Sequence, residues 1–173
     1  MKKLVLILLL LIPINIKAYE SSASSVVLMD MDSLNVIYGG NMHDVRSVAS
    51  ISKIMTAIVA IENADVNSTV TIGEEITKAY GSGIYIKQGE EITLESLLYG
   101  LMLRSGNDAA LAIANYVGGD IDNFVEMMNE KAVEIGMKNT TFNNPHGLDE
   151  NGGNLSTAYD MALLTSYAMQ NEN

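Results

Sequence analysis

Residues 50–61, Ser50-Ile51-Ser52-Lys53-Ile54-Met55-Thr56-Ala57-Ile58-Val59-Ala60-Ile61, constrain the fold of this chain more than any other stretch. Ile54, Ala57, Ile58 and Ile61 recur at helical spacing, and Met55, Val59 and Ala60 occupy most of the remaining circumference. A helix that is apolar nearly all round must be buried on several sides, so the rest of the chain has to pack around it. Its first turn nevertheless carries a hydroxyl and an amine, Ser50 and Lys53. Positions i and i+3 share a helix face, which lets the amine return toward the hydroxyl. The helix N-terminus favours negative charge there, and an apolar setting lowers a lysine pKa until the amine can act as a base. Spacing alone leaves two readings open. Ser50 is either a helix cap beside a lysine that reaches for water, or a nucleophile beside its base.

The chain opens with the features of an export signal. Met1-Lys2-Lys3 is a basic start, Leu4 to Ile12 is a short apolar run, and Ile16-Lys17-Ala18 ends in a small residue suited to cleavage. We therefore divide the chain into a leader, 1–18, and one domain, 19–173. The apolar run is too short for a comfortable membrane span, and no membrane attachment is visible elsewhere. Lys2, Lys3 and Lys17 belong to the leader, so without it seven basic residues face 21 acidic ones and the net charge moves from −11 to −14. Such a surface excludes nucleic acid and anionic lipid as favoured partners. The absence of cysteine excludes disulfides, thiolate metal sites and a cysteine nucleophile.

Downstream, residues 26–29 read as a buried strand, 30–33 as a turn and 34–38 as a second strand stopped by Gly39-Gly40-Asn41. Residues 42–49 read as a loop and 69–72 as a short strand. The glycine-rich span 73–93 reads mostly as loop, with Ile84-Tyr85-Ile86 briefly extended and Gly81-Ser82-Gly83 as either a mobile rim of a site or an ordinary turn. Leu94, Leu97, Leu98, Leu101 and Met102 mark the inner face of a helix over 94–103 with Thr93 as its N-cap. Further helices are expected over 108–117, from Asp120 to Ile135 with Gly136 as the stop, and from Ser156 or Thr157 onward, where Thr157 and Asp160 have capping-box spacing. The methionines read as core filler, not ligands. Residues 143–149 form a dense turn cluster. Ser105-Gly106-Asn107, on the tight connection between two helices, is a second polar constellation; helix capping and a role in a cleft both fit it. Ser33-Leu34-Asn35 has the same spacing inside the hairpin, so spacing needs context.

Three blocks together supply that context. Val48-Ala49-Ser50-Ile51-Ser52-Lys53-Ile54-Met55-Thr56-Ala57 resembles the active-site segment of the penicillin-binding D-alanyl-D-alanine carboxypeptidases. Leu97 to Ala110, containing Arg104-Ser105-Gly106-Asn107-Asp108, resembles that family's second motif. Asn144-Pro145-His146-Gly147-Leu148-Asp149, followed by residues 156–162, is similar to a third stretch. The resemblance spans about residues 24–170, and three blocks in order are specific where each alone is not.

The resemblance implies an α/β (α+β) fold of the β-lactamase and DD-peptidase kind, with an antiparallel sheet and a helical subdomain. It also implies roles. Ser50 would attack the penultimate D-alanine carbonyl of a peptidoglycan stem peptide ending in D-Ala-D-Ala, Lys53 would take its proton, Ser105 would relay a proton to the departing D-alanine, and Asn107 would hold the substrate amide and help position Lys53. β-Lactams would acylate Ser50, no cofactor or metal is needed, and the cell-wall side of the membrane is the expected location. His146 is expected to order its turn or line the cleft. Two departures stand out. Asn154 occupies a position where many relatives have histidine, and the family's third motif, Lys-Thr-Gly on a central strand, does not occur here. The implied C-terminal strands would follow the last helix, so the sheet is expected to be incomplete and the chain to be the N-terminal part of a longer protein. A non-catalytic wall-binding or regulatory module of the same fold, and a related β-lactamase, are the alternative functions.

Overall fold

The computed structural model describes residues 21–149 and 152–171; the expected leader over 1–18 lies outside the described residues. Among the described residues, five α-helices and six short strands follow one another. Strands β1 (Val26–Met29) and β2 (Val36–Gly40) form an antiparallel hairpin. Strand β3 (Arg46–Ser47) leads into a 3-10 turn, Ala49–Ser52, which feeds helix α1 (Lys53–Asn63). Then come β4 (Thr69–Thr71), β5 (Glu91–Thr93), α2 (Leu94–Arg104), α3 (Asn107–Gly118), α4 (Ile121–Ile135), β6 (Leu155–Ser156) and α5 (Ala158–Met169). The strands make three separate antiparallel pairs, β1–β2, β3–β6 and β4–β5.

Helix α1 packs against every other helix, as its nearly all-round apolarity requires. Met55, Ala57, Ile58, Val59 and Ala60 are buried, while Ile54 and Ile61 are only partly covered. Leu94, Leu97 and Leu101 of α2, Ala109 to Ala114 of α3, and Phe124, Met128 and Ala132 of α4 complete the core. Met102 is the exception among the expected inner positions of α2, at 49% exposed. Thr93 caps α2 by accepting from the Ser96 N–H, and Asp120 caps α4 by accepting from Asn123. Gly136 ends α4 in the left-handed conformation.

Several elements differ from what periodicity suggests. The first turn runs on through Asn35, because Leu34 takes a positive φ of 57° and the Asp30 N–H donates to the Asn35 carbonyl. Strand β2 therefore starts at Val36, and its two glycines pair with Val26 and Val27 in place of ending the strand. The expected loop 42–49 contains β3, which exists only because β6 lies beside it. Strand β5 is likewise created by its partner β4. Such two- and three-residue strands have no period to read. Residues 84–86 are not a strand; their backbone curls around the Asp108 carboxylate, with Tyr85 at φ 62°. At α5 the capping box is half-formed. Thr157 accepts from the Asp160 N–H at 3.0 Å, but the Asp160 carboxylate turns to the Asn139 N–H and the Thr140 hydroxyl.

The turn cluster 143–149 is held from inside by Asn154, which is fully buried. Its Oδ1 accepts from the Asn143 and Asn144 N–H groups, and its Nδ2 donates to the Asn144 carbonyl at 2.9 Å. Its own carbonyl accepts from the Val48 N–H, which ties the cluster to the approach of the 3-10 turn. Replacing Asn154 by alanine strands these buried backbone groups. Urea unfolding of Asn154→Ala should show a loss of about 2–4 kcal/mol with an unchanged m-value.

Candidate active site

Ser50 lies in the 3-10 turn, one residue after Ala49, whose φ of 44° is unusual for a residue other than glycine. The turn closes tightly, with the buried Ser52 hydroxyl donating to the Ala49 carbonyl at 2.8 Å. Gly147 packs directly on that carbonyl. Its φ is 86°, and a methyl group there would overlap the Ala49 oxygen. Ser50 makes no side-chain cap for the helix, and its side of the turn is exposed. The capping reading of Ser50 is thus set aside by geometry.

Lys53 is the first residue of α1 and is 2% exposed. Its Nζ lies 3.2 Å from Ser50 Oγ, 2.8 Å from Asn107 Oδ1 and 2.6 Å from the His146 carbonyl oxygen. Among the described residues no carboxylate forms an ion pair with it. Burial without a counter-charge pushes its pKa down to about 8. As an ammonium the group donates to all three oxygens; in the neutral amine one of the three positions holds the lone pair. Its two N–H bonds suit the two short contacts to oxygens that only accept, and the remaining position faces the Ser50 hydroxyl, which can donate. The Ser50 hydroxyl and the Lys53 amine thus stand within hydrogen-bond reach of each other.

Asn107 opens α3. Its Nδ2 donates to the Tyr80 carbonyl at 2.6 Å, which leaves Oδ1 for Lys53. Its backbone N–H donates to the Ser82 carbonyl. The Gly81-Ser82-Gly83 stretch therefore does border the site, and is pinned to Asn107 by one hydrogen bond of its own, at Ser82, and by that of Tyr80 just before it. Ser105 ends α2 in the left-handed conformation, φ 54°, and is half-buried. Among the described residues its hydroxyl has no hydrogen-bond partner, so Ser50, Lys53 and Asn107 are directly joined and Ser105 is not.

Sequence reasoning missed Thr56, one turn beyond Lys53, whose buried hydroxyl donates to the Pro145 carbonyl at 2.7 Å. His146 orders its turn as expected, its Nδ1 accepting from the Leu148 N–H at 3.2 Å, but sequence reasoning did not foresee that its main-chain carbonyl is the group that touches Lys53. Asn144 fixes that carbonyl's turn by accepting from the His146 and Gly147 N–H groups. A hydroxyl at i+3 from the lysine was the available signal for Thr56; a main-chain acceptor leaves none. No group of three or more metal-binding side chains occurs among the described residues.

The chain is similar to known proteins along most of its length. The family model for peptidase S11, D-alanyl-D-alanine carboxypeptidase, matches residues 13–173. The chain is 39% identical to the D-alanyl-D-alanine carboxypeptidase DacF of Bacillus subtilis over 155 residues, 87% of this chain and 40% of the relative. It is 37% identical to DacB2 of Mycobacterium tuberculosis, covering 88% of this chain and 52% of that one. Among solved structures, the Francisella tularensis carboxypeptidase DacD superposes with a TM-score of 0.83 at 39% identity, over 88% of this chain and 38% of that one. A D-alanyl-D-alanine carboxypeptidase from Mycobacterium tuberculosis gives 0.85 at 36% identity, over 89% and 58%. The chain thus spans roughly two-fifths to three-fifths of the length of these relatives.

Two expectations follow from the geometry. Between pH 8 and the ordinary lysine value of 10.5, the folded protein has shed the Lys53 proton while the unfolded chain keeps it, so folding gains stability as pH rises through that window. In Lys53→Met this contribution vanishes. Denaturant titrations of both proteins from pH 7 to 10.5 should therefore show a stability difference that shifts toward the wild type with rising pH. Gly147→Ala, which drives a methyl into the Ala49 carbonyl, should cost about 2–3 kcal/mol in thermal unfolding at fixed pH.

Proposed function

Because this chain belongs to the peptidase S11 family of D-alanyl-D-alanine carboxypeptidases, we propose that it acts as a serine-type D-Ala-D-Ala carboxypeptidase on peptidoglycan stem peptides. The observation that carries this reading is the buried Lys53 amine facing Ser50, with its other two contacts taken by Asn107 and the His146 carbonyl.

In this mechanism the neutral Lys53 amine takes the Ser50 proton as Oγ adds to the carbonyl carbon of the penultimate D-alanine. The Ser50 backbone N–H offers one donor to the resulting oxyanion. The C–N bond then breaks, and the proton held by Lys53 passes by way of the Ser105 hydroxyl to the leaving amine of the terminal D-alanine. The free Ser105 hydroxyl is available to donate and accept at once. Asn107 holds the substrate amide while its Oδ1 keeps Lys53 in place. Water adds to the acyl-enzyme ester while Lys53 accepts its proton, the bond from the carbonyl carbon to Oγ then breaks, and Lys53 returns the proton to Ser50 Oγ as the shortened peptide leaves as its carboxylate. A β-lactam follows the first step, opening its ring onto Ser50 Oγ, and the ester then persists. The reaction is wall chemistry, so the protein works outside the cytoplasmic membrane after loss of a leader over 1–18. No helix among the described residues is long and apolar enough to cross a membrane.

Incubation with benzylpenicillin followed by intact-mass analysis tests the reading. A single penicilloyl adduct is expected in the wild type and none in Ser50→Ala. The acylation rate should rise with pH through about 8, as Lys53 becomes the free base. Peptidoglycan binding by a cooperatively folded chain that forms no adduct would replace the enzyme reading with a wall-binding module. Rapid turnover of a chromogenic β-lactam would replace it with a β-lactamase.

A further inference from the structure

Asp108 is 7% exposed, lies one residue beyond Asn107, and has no place in the mechanism above. Its carboxylate makes no ion pair with Lys53 and collects backbone N–H groups from a distant loop. Oδ2 accepts from Tyr85 at 2.7 Å and from Ile86 at 3.3 Å, and the Ile84 N–H lies 3.0 and 3.1 Å from the two oxygens. Oδ1 also accepts from the Ala109 N–H at the start of α3. Three successive N–H groups converging on one carboxylate form a nest, which chain curvature alone does not supply. Here it is achieved with Tyr85 in the left-handed region, a conformation that bulky residues rarely adopt. A carboxylate able to receive all three donors compensates that strain.

The loop so held is the one that touches Asn107. The Tyr80 carbonyl takes the Asn107 Nδ2–H and the Ser82 carbonyl takes its backbone N–H. Gly81 and Gly83 let the chain lie this close: a Cβ at Gly81 would stand 3.2 Å from Asn107 Nδ2, and one at Gly83 would stand 3.1 Å from the Asp108 carboxylate. On its far side the loop is seated by Ile84 against Gly100 of α2, where a Cβ would come within 2.7 Å of Ile84 Cδ1.

We propose that Asp108 is a positioning residue, holding residues 80–86 as a strap across the start of α3 so that the Asn107 amide keeps its oxygen toward Lys53. The orientation of that amide matters because its two ends are opposite in kind. With Oδ1 toward Lys53 it accepts from the amine; turned over, it presents N–H groups to N–H groups. The Tyr80 carbonyl prevents the turn, and Asp108 keeps the Tyr80 carbonyl in place. The catalytic meaning of this arrangement rests on the function proposed above, but the arrangement itself can be tested without catalysis.

The test uses Asp108→Asn and Gly100→Ala. The first replaces a pure acceptor with an amide that cannot receive three donors, and the second crowds Ile84 off its seat while leaving the Asp108 charge intact. Hydrogen exchange by NMR should accelerate about ten-fold or more at the amides of residues 84–86 in both variants, as expected for loss of a charge-assisted bond. The Asn107 side-chain amide protons should lose protection with them. The Lys53 midpoint, followed through its side-chain resonances, should move below its wild-type value near 8, because an acceptor that favoured the ammonium is lost. The groups facing Lys53 are the Ser50 hydroxyl, Asn107 Oδ1 and the His146 carbonyl; the shift in Gly100→Ala, where no charge changes, excludes a direct effect of the Asp108 charge. Where Asp108→Asn does not fold, Gly100→Ala decides alone. A loosened strap with Asn107 and Lys53 unchanged overturns the proposal, as does a strap that exchanges at the wild-type rate in both variants. Failure of benzylpenicillin to acylate the wild type overturns the proposed function instead, and leaves this result standing.

Discussion

A single buried amine joins three separate parts of this molecule. Lys53 Nζ contacts the 3-10 turn through Ser50, helix α3 through Asn107 and the 143–149 cluster through the His146 carbonyl. Removing an ammonium from water without a counter-ion is costly, and the cost falls as the contacts become well placed or as the amine gives up its proton. Both remedies are present. The same desolvation that makes Lys53 expensive to bury lowers its pKa to about 8, where it can exchange a proton with a neighbouring hydroxyl. Stability and reactivity at this position have one physical origin.

Each partner of Lys53 is in turn held by groups that have no chemistry of their own. Asn154 and Asn144 shape the turn that presents the His146 carbonyl, and Gly147 lets that turn approach the Ala49 carbonyl beside Ser50. Thr56 ties α1 to the Pro145 carbonyl. Away from the site, Lys131 of α4 pairs with Glu62 of α1 at 2.7 Å and with Glu134 at 2.6 Å, while Tyr167 of α5 donates to Glu62. That cluster ties the far end of α1 to the two helices beside it. The helix is therefore fixed at both ends by polar contacts and along its length by apolar packing.

The sequence made the helices legible: α2, α4 and α5 carry their own caps at Thr93, Asp120 and Thr157, while α1 and α3 have no side-chain cap and are marked by their runs of apolar residues. The hairpin and the Ser50–Lys53 pair were legible too, the pair because its spacing is local. Strands β3, β5 and β6 were not, because a two- or three-residue strand is defined by a neighbour far away in the chain. Nor was the curl of residues 84–86, where alternating apolar residues suggest extension and a carboxylate 22 to 24 positions later imposes something else. Asp108 itself reads as a helix-start residue in sequence. The resemblance of three blocks brought Ser105 and Asn107 together with Ser50, and the coordinates join Asn107, but not Ser105, to Lys53.

The pairing of β3 with β6 has a consequence for how the chain matures. Arg46 lies opposite Ser156 and Ser47 opposite Leu155, so the turn bearing Ser50 is closed by residues more than a hundred positions later. A polypeptide emerging with its N-terminus first presents Ser50, Lys53 and the most apolar helix of the domain long before their covering segments arrive. During that interval Lys53 is solvated and holds its proton, and Ser50 is an ordinary alcohol. The apolar helix stays uncovered for the same interval. The surroundings of Ser50 and Lys53 are thus timed by chain order: both residues are made early and enclosed late, when β6 comes to lie beside β3.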